Sequence, residues 1–273
     1  MTAPLFHLAP GSLDEATSGV RIRLDGPEGH HAATVMRLEP GEEIILSDAR
    51  RIRVAGVVVS SGGGELTVEV HEVADETPES PRLVLVQALA KDRRDLQAVE
   101  SATELGVEAV IPWQAERSVA RWKPGRETKK HMEWANTAAV ASKQTRRTLV
   151  PEIRELHTTA QYLELLRGQD HVGALVLHET EDSTLRCALR ELGLWSPGTE
   201  EGTPDATSSE GHTPLEELHL VVGPEGGISE AEVARLSGAG ALPTRLGRTV
   251  LRSSTAGPAA LAAVQLLLGR WDT

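Results

Sequence analysis

The run Val222-Gly223-Pro224-Glu225-Gly226-Gly227-Ile228-Ser229 sets three glycines, one carboxylate and one hydroxyl within eight positions. Glycines let a ligand approach the backbone closely, and a helix starting after Ser229 turns its first amides towards whatever occupies the turn. The Gly-x-Gly-x-x-Gly order is absent and no Gly-Lys-Ser/Thr follows. A dinucleotide fingerprint and a phosphate-cradling loop are therefore both excluded, and with them a NAD-type oxidoreductase. Taken alone, the cluster reads as a tight turn. Elsewhere, His30-His31 has no third ligand nearby, so no metal site is expected. The single cysteine, Cys187, excludes an internal disulfide framework, fits a reducing cytoplasm, and reads as a packed residue on a helix.

The elements around the glycine run would place it well for ligand binding. Leu218 to Val222 is an apolar strand directly before it, and Ser229 with Glu232 forms a Ser-x-x-Glu capping box for a helix to Leu236. Arg82 to Leu89, Val107 to Pro112 and Val172 to His178 are further apolar strands. Asp92 to Leu105, Lys129 to Thr145 and Thr255 to Leu268 read as helices. That alternation predicts a mostly parallel sheet covered on both faces, with ligands at the carboxyl ends of its strands. Residues 1–74 differ: short alternating segments near 20–24, 43–47, 51–59 and 65–73, with one helix from Gly29 to Leu38, predict a small β-barrel. The polar, proline-containing segment 75–81 reads as a linker to a second domain at 82–273, and the Gly/Ser/Pro-rich stretch 195–214 as a mobile insertion.

The chain has 273 residues, 40% hydrophobic and 25% charged, which suits a soluble two-domain protein. Its N-terminus lacks a basic-then-apolar leader, and no apolar run is long enough to span a bilayer, so a cytoplasmic location with no membrane partner is expected. The net charge of −12 argues against nucleic acid, but its distribution is uneven. Residues 117–147 hold nine basic side chains against only Glu127 and Glu133. Aromatic content is 3%, too little for a base-stacking surface, so RNA contacts would fall to arginines, lysines and loops.

Gly223 to Ser229 and Leu246-Gly247-Arg248-Thr249-Val250-Leu251-Arg252-Ser253-Ser254-Thr255-Ala256 together resemble the two signature loops of the RsmE-type 16S ribosomal RNA (uracil-N3) methyltransferases, of the SPOUT class. The resemblance extends to Gln87 to Lys91, Ala102 to Val107, Ile111-Pro112, Glu116 to Val119, Lys143 to Arg147 and His30 to Gly41, in the family's order. It departs where family members often read Leu-Gly-Pro-Arg-Ile-Leu-Arg-x-Glu-Thr-Ala: here Arg248, Thr249 and Ser254 stand instead, so no carboxylate role carries over to Ser254.

This resemblance implies an α/β SPOUT-type domain ending in a trefoil knot, preceded by a PUA-like β-barrel, and a homodimer acting on 16S rRNA of the small ribosomal subunit. It implies S-adenosyl-L-methionine as cofactor, held by Leu177 and His178, by Val222, Gly223, Pro224, Glu225, Gly226 and Gly227, and by Leu246, Gly247, Val250, Leu251 and Arg252. Because N3 of uracil must lose its proton before attacking a sulfonium methyl, the site needs a base or a cation that stabilises the uracilate. Arg252 is the first candidate for that cation. Glu225 could act as base, or hold its own loop, the reading preferred here. Arg21, Arg23, Arg37, Lys91, Arg117, Lys143, Gln144 and Arg147 are the candidate RNA contacts, with Arg93 and Arg94 beside Lys91 as further candidates. Two alternatives stay open, a SPOUT enzyme acting on tRNA and a PUA-type RNA-binding protein without catalysis.

Overall fold

The computed structural model describes residues 3–179, 181–197 and 214–271. The insertion expected at 195–214 thus lies largely outside the described residues. The chain divides into two compact units, Met1–Pro78 with Ala139–Val150, and Glu79–Ala138 with Pro151–Thr273.

The first unit is a five-stranded sheet of β1 (Leu5–His7), β2 (Arg21–Leu24), β3 (Glu43–Ser47), β4 (Ile52–Gly62) and β5 (Glu65–Asp75), in the order β1-β3-β4-β5-β2. All pairs are antiparallel except β1 with β3. Alternation in β4 and β5 sends Ile52, Val54, Val58, Leu66, Val68 and Val70 into a core shared with Phe6, Leu24, Ile44 and Leu46. The expected helix starts earlier and ends sooner than its sequence pattern suggests: α1 (Gly26–His30) carries Pro27 in its first turn and runs into a π-helical turn, His31–Val35. Proline fits there because a first-turn amide has no intrahelical partner to lose.

The second unit contains β6 (Arg82–Ala88), α2 (Arg94–Glu104), β7 (Ala109–Gln114), α3 (Glu127–Gln144), β8 (Glu152–Ile153), β9 (His157–Thr158), α4 (Thr159–Arg167), β10 (Val172–Leu177), α5 (Leu185–Glu191), β11 (Glu217–Val222), α6 (Glu230–Ser237), β12 (Leu242–Thr244) and α7 (Ser253–Leu267). The strands form a parallel sheet in the order β12-β10-β11-β6-β7-β8, with β9 also on β7. One face carries Leu83, Leu85, Leu175, Leu218 and Leu220 against α2, α5 and α7; the other carries Val84, Val86, Val176 and Val221 with Tyr162 and Leu236. Each such fully buried aliphatic side chain stabilises by about 1.5–3 kcal/mol relative to exposure. At Gly257 a Cβ would lie 2.7 Å from Leu85 and 3.3 Å from Val222, so glycine lets α7 rest closely on β6 and β11.

Sheet connections leave β6 towards β7 and β11 towards β12, in opposite directions, so the carboxyl ends of these neighbouring strands form a topological switch point. At the opposite end of β11 lies a buried polar chain. Tyr162 hydroxyl meets His219 Nδ1 at 3.0 Å, His219 Nε2 meets Glu217 at 2.9 Å, and Arg154 pairs with Glu217. Burial pushes the His219 imidazole below its usual pKa and the Tyr162 hydroxyl well above.

The helix α3 contributes to both units, its last turn and the following loop belonging to the first. There Lys143 Nζ grips both oxygens of Glu28 at 2.5 and 2.6 Å and lies 5.9 Å from the centre of the Phe6 ring. Ser47 Oγ donates to the Thr148 carbonyl at 2.6 Å, and the Val150 amide donates to the Ala49 carbonyl at 3.0 Å. Cys187, expected to be packed, is exposed on α5, with its thiol accepting from Thr184 Oγ1 at 3.2 Å. Among the described residues no helix is long and apolar enough to cross a membrane.

Candidate functional site

A cleft of about 860 Å³ opens in the second unit at the carboxyl ends of β10 and β11. Three segments wall it: Leu177 to Glu179 after β10, Val222 to Ala231 after β11, and Val250 to Ser253 at the start of α7, with Ala256. Arg94 and Arg117 complete the rim. Residues far apart in sequence thus converge because parallel strands deliver all their carboxyl ends to one edge.

The glycine run is a fixed loop. A Cβ at Gly223 would lie 2.6 Å from the Ile228 side chain, so this glycine is needed for the loop to close on itself. The Gly227 amide donates to the Pro224 carbonyl at 2.9 Å, and Gly227 has φ 70°, in the left-handed region. Added atoms at Gly227 would meet nothing within 4 Å, which leaves that backbone accessible. Glu225 Oε1 accepts from the Lys91 amide at 3.0 Å and lies 3.6 Å from Arg94, fastening the loop after β11 to the loop after β6. Arg117 donates to the Gly226 carbonyl at 3.3 Å.

The capping box expected at Ser229 forms only by half. Ser229 Oγ accepts from the Glu232 amide at 3.1 Å, but the Glu232 side chain does not return to Ser229. It is fully buried and accepts instead from the Glu116 amide at 3.1 Å and from Thr159 Oγ1. Ser229 Oγ donates in turn to Glu116 at 2.8 Å. A long-range demand for an acceptor outweighs the local cap.

The second loop is held by the His178 amide on the Thr244 carbonyl at 3.0 Å and the Arg245 amide on the Ser183 carbonyl at 2.8 Å. Leu246 and Gly247 line a smaller adjoining pocket of about 70 Å³, which shares Leu177, His178, Val250 and Leu251 with the main cleft. Every residue expected to hold a cofactor therefore lines one of these two connected spaces. Arg252 takes the cap position of α7, is exposed, and has no ion pair among the described residues.

The expected RNA contacts are divided between the two units. Arg117 lines the cleft, and Lys91 meets the glycine loop through its backbone. Arg21, Arg23, Arg37, Lys143, Gln144 and Arg147 belong to the first unit. Three of them already have partners: Arg21 with Glu69 at 3.0 Å, Arg23 with Glu65 at 2.5 Å, and Lys143 with Glu28. Arg147 is half-buried, its carbonyl hydrogen-bonded to His7, whereas Arg37 and Gln144 are exposed. Among cleft residues, Glu179 and Ser253 were not among the expected site residues, whereas Arg94 was expected as a further RNA contact. Arg94 lies next to the strand-end motif at Lys91, a usable signal, but nothing local marks Ser253.

The lining suits a nucleoside with a charged tail: exposed loop backbone, apolar walls at Leu177, Val222, Val250 and Leu251, and cations at the rim. A family model described as RNA methyltransferase domain matches residues 78–265, and one described as RNA methyltransferase PUA domain matches residues 24–70. The ribosomal RNA small subunit methyltransferase E of Mycobacterium bovis is 38% identical over 272 residues, covering 100% of this chain and 95% of its own. The protein of the same name from Bacillus subtilis is 30% identical over 260 residues, covering 95% and 94%. A methyltransferase structure from Legionella pneumophila, in complex with the cofactor SAM, matches with a TM-score of 0.74 and 26% identity, over 97% of this chain and 98% of the other. With its two loops closing one cleft and relatives matched along its whole length, the chain belongs to the ribosomal RNA small subunit methyltransferase E family of RNA methyltransferases.

Proposed function

We propose that this protein methylates N3 of a uridine in 16S rRNA of the small ribosomal subunit, using S-adenosyl-L-methionine. The observation that carries the proposal is the meeting of the glycine loop and an exposed, unpaired Arg252 on one cleft. When bound, the cofactor supplies an electrophilic methyl on a positively charged sulfur. The chain's own part is to hold the target base in line and to favour its deprotonated form. Arg252 does the second by stabilising the negative charge that develops on the uracil ring, where a preorganised cation is most effective. Glu225 is a positioning residue: its carboxylate is engaged by the Lys91 amide and Arg94 and keeps the loop in place. Leu177, Val222, Val250 and Leu251 supply the apolar part of the cleft lining.

The reading extends to a homodimer in the cytoplasm and to a trefoil knot at the C-terminus. The knot is supported by the chain's path from β12 at the sheet edge back to α7 against β6 and β11. The test is methyl transfer to small subunits from a strain lacking the enzyme, with mass analysis of the nucleosides. N3-methyluridine in 16S rRNA is the expected product. Methylation of tRNA instead, or no product, overturns the reading in favour of another RNA substrate or of a non-catalytic RNA binder.

A further inference from the structure

The loop that joins β7 to α3 leaves the cleft carrying positive charge. Residues 117–126 hold Arg117, Arg121, Lys123 and Arg126 and no carboxylate, in a chain whose net charge is −12. Arg117 lines the cleft. Arg121, Lys123 and Arg126 are exposed, and their side chains form no ion pair or hydrogen bond among the described residues. Elsewhere in the same unit Arg82, Arg93, Arg154 and Arg235 each pair with a carboxylate. A run of unpaired cations beginning at the ligand cleft of an acidic protein sets up a local positive potential there.

The backbone beneath these charges is held in place. Exposure alternates along it, with Val119, Arg121 and Lys123 outward and Ala120 and Trp122 half-buried, the two-residue period of an extended chain. Ala120 and Trp122 pack on the apolar core, where the Trp122 ring meets Trp134 edge-on with centres 5.8 Å apart. Gln114 Nε2 donates to the Ala120 carbonyl at 3.2 Å. At the cleft end the Glu116 amide is taken by buried Glu232 at 3.1 Å. At the far end the Arg126 amide donates to the Lys123 carbonyl at 2.9 Å, closing a turn through Gly125, which has φ 78°. Full extension limits Lys123 to about 22 Å from Arg117. A backbone fixed in advance leaves only side-chain freedom to be lost when a ligand arrives.

We propose that residues 117–126 form a phosphate-tracking ridge, on which Arg121, Lys123 and Arg126 hold the backbone of the RNA strand whose target base enters the cleft. A single strand that places one base at the glycine loop must carry its neighbouring phosphates over the rim, and the ridge starts at the rim. With Trp122 packed on Trp134, the ridge offers no free ring for a base to stack on, so its contacts are to phosphate and add affinity without sequence choice. The assignment rests on an RNA substrate but not on which RNA. Arg21, Arg23 and Lys143 must each release a carboxylate before they can take a phosphate, whereas the ridge cations are free to do so at once.

Fluorescence anisotropy of a labelled, mixed-sequence single-stranded RNA with the full-length protein, measured across a salt series, tests the ridge. Arg121→Ala, Lys123→Ala and Arg126→Ala combined are expected to weaken binding about tenfold at low salt and to reduce the slope of log affinity against log salt by about 2, since each phosphate contact on a single strand contributes about 0.7. The melting temperature and the affinity for S-adenosylhomocysteine should match those of the wild type, because the three side chains are exposed and lie outside the cleft lining. Arg121→Lys with Arg126→Lys keeps the charge and is expected to keep the slope. Glu127→Gln removes the carboxylate next to Arg126 in sequence and is expected to tighten binding about twofold, a gain that damaged folding does not produce. Wild-type affinity and slope in the triple variant, or a loss that depends on base sequence and not on salt, overturns the ridge, as does a wild-type protein that binds no RNA. Since the probe is not 16S rRNA, discovery of a different methylated RNA overturns the proposed target and leaves the ridge to be decided by the salt slope.

Discussion

The Glu225 carboxylate accepts the Lys91 backbone amide at 3.0 Å, joining two loops that are 134 residues apart in the chain. A group engaged in this way holds geometry, and its amide analogue can still accept the same hydrogen bond. Glu225→Gln is therefore expected to retain turnover within about tenfold, while Glu225→Ala, which leaves the Lys91 amide unpaired, weakens S-adenosylhomocysteine binding. Steady-state kinetics and calorimetry check the pair. Loss of turnover by a hundredfold or more in Glu225→Gln, with cofactor affinity intact, would instead identify a catalytic base.

Arg252→Ala is expected to lower methyl transfer by about 10²–10³-fold, the usual loss when one preorganised charge stabiliser is removed. Cofactor affinity should change far less, because the cleft walls and glycine loop are untouched. Single-turnover assays alongside calorimetry separate the two quantities. Normal turnover in this variant would remove Arg252 from the chemistry.

Gly223→Val places side-chain carbon against Ile228, where even a Cβ would stand at 2.6 Å. The expected result is overpacking that costs about 1–3 kcal/mol and displaces the loop, seen as a lower melting temperature together with lost cofactor binding. Gly247→Ala meets nothing within 4 Å and should melt like the wild type.

Glu232→Ala removes the acceptor shared by the Glu116 amide and the Thr159 hydroxyl, in a site from which water is excluded. Each stranded donor costs about 1–3 kcal/mol, so thermal unfolding should fall by several degrees. An unchanged melting temperature would show that water replaces the carboxylate without loss.

Acid should weaken the fold in two steps. His219 is held below its unfolded value of 6.5 by burial, so the unfolded chain binds the extra proton first as pH falls. Its contribution is complete above pH 6.5 and is lost as pH drops through the folded value. Burial alone would raise Glu217, but hydrogen bonds from His219 and Arg154 outweigh it and hold the carboxyl far below its usual range, adding a further loss below about pH 4.5. Denaturant midpoints should fall between pH 7.5 and 5.5, and His219→Gln should flatten that part of the curve. Equal slopes in both proteins would assign the effect to other groups.

Long, strongly patterned elements were readable in advance. The parallel strands β6, β7, β10 and β11 and the helices α2, α3 and α7 lie within a few residues of their expected places, because apolar runs and periodicity are local properties. The residues that line the cleft and its adjoining pocket were legible through motif order. What escaped was decided at long range. Glu232 has the spacing of a capping box, but its side chain answers a donor more than a hundred residues away. Arg21, Arg23 and Lys143 look like free cations in sequence, and only folding shows each beside a carboxylate. Short elements such as β12 and β9 have too few residues to show a period.

The loan of residues 139–150 to the first unit bears on how the protein is made. During synthesis the N-terminal sheet emerges with the carbonyl acceptor of Ser47 Oγ and the ion partner of Glu28 still unbuilt, since Thr148 and Lys143 come some seventy residues after Pro78. The small unit can reach its final form only once about half of the chain has left the ribosome. A fragment stopping at Pro78 would therefore be an unfinished piece rather than a portable module, and gene fusions that transplant it would need to carry the later segment as well.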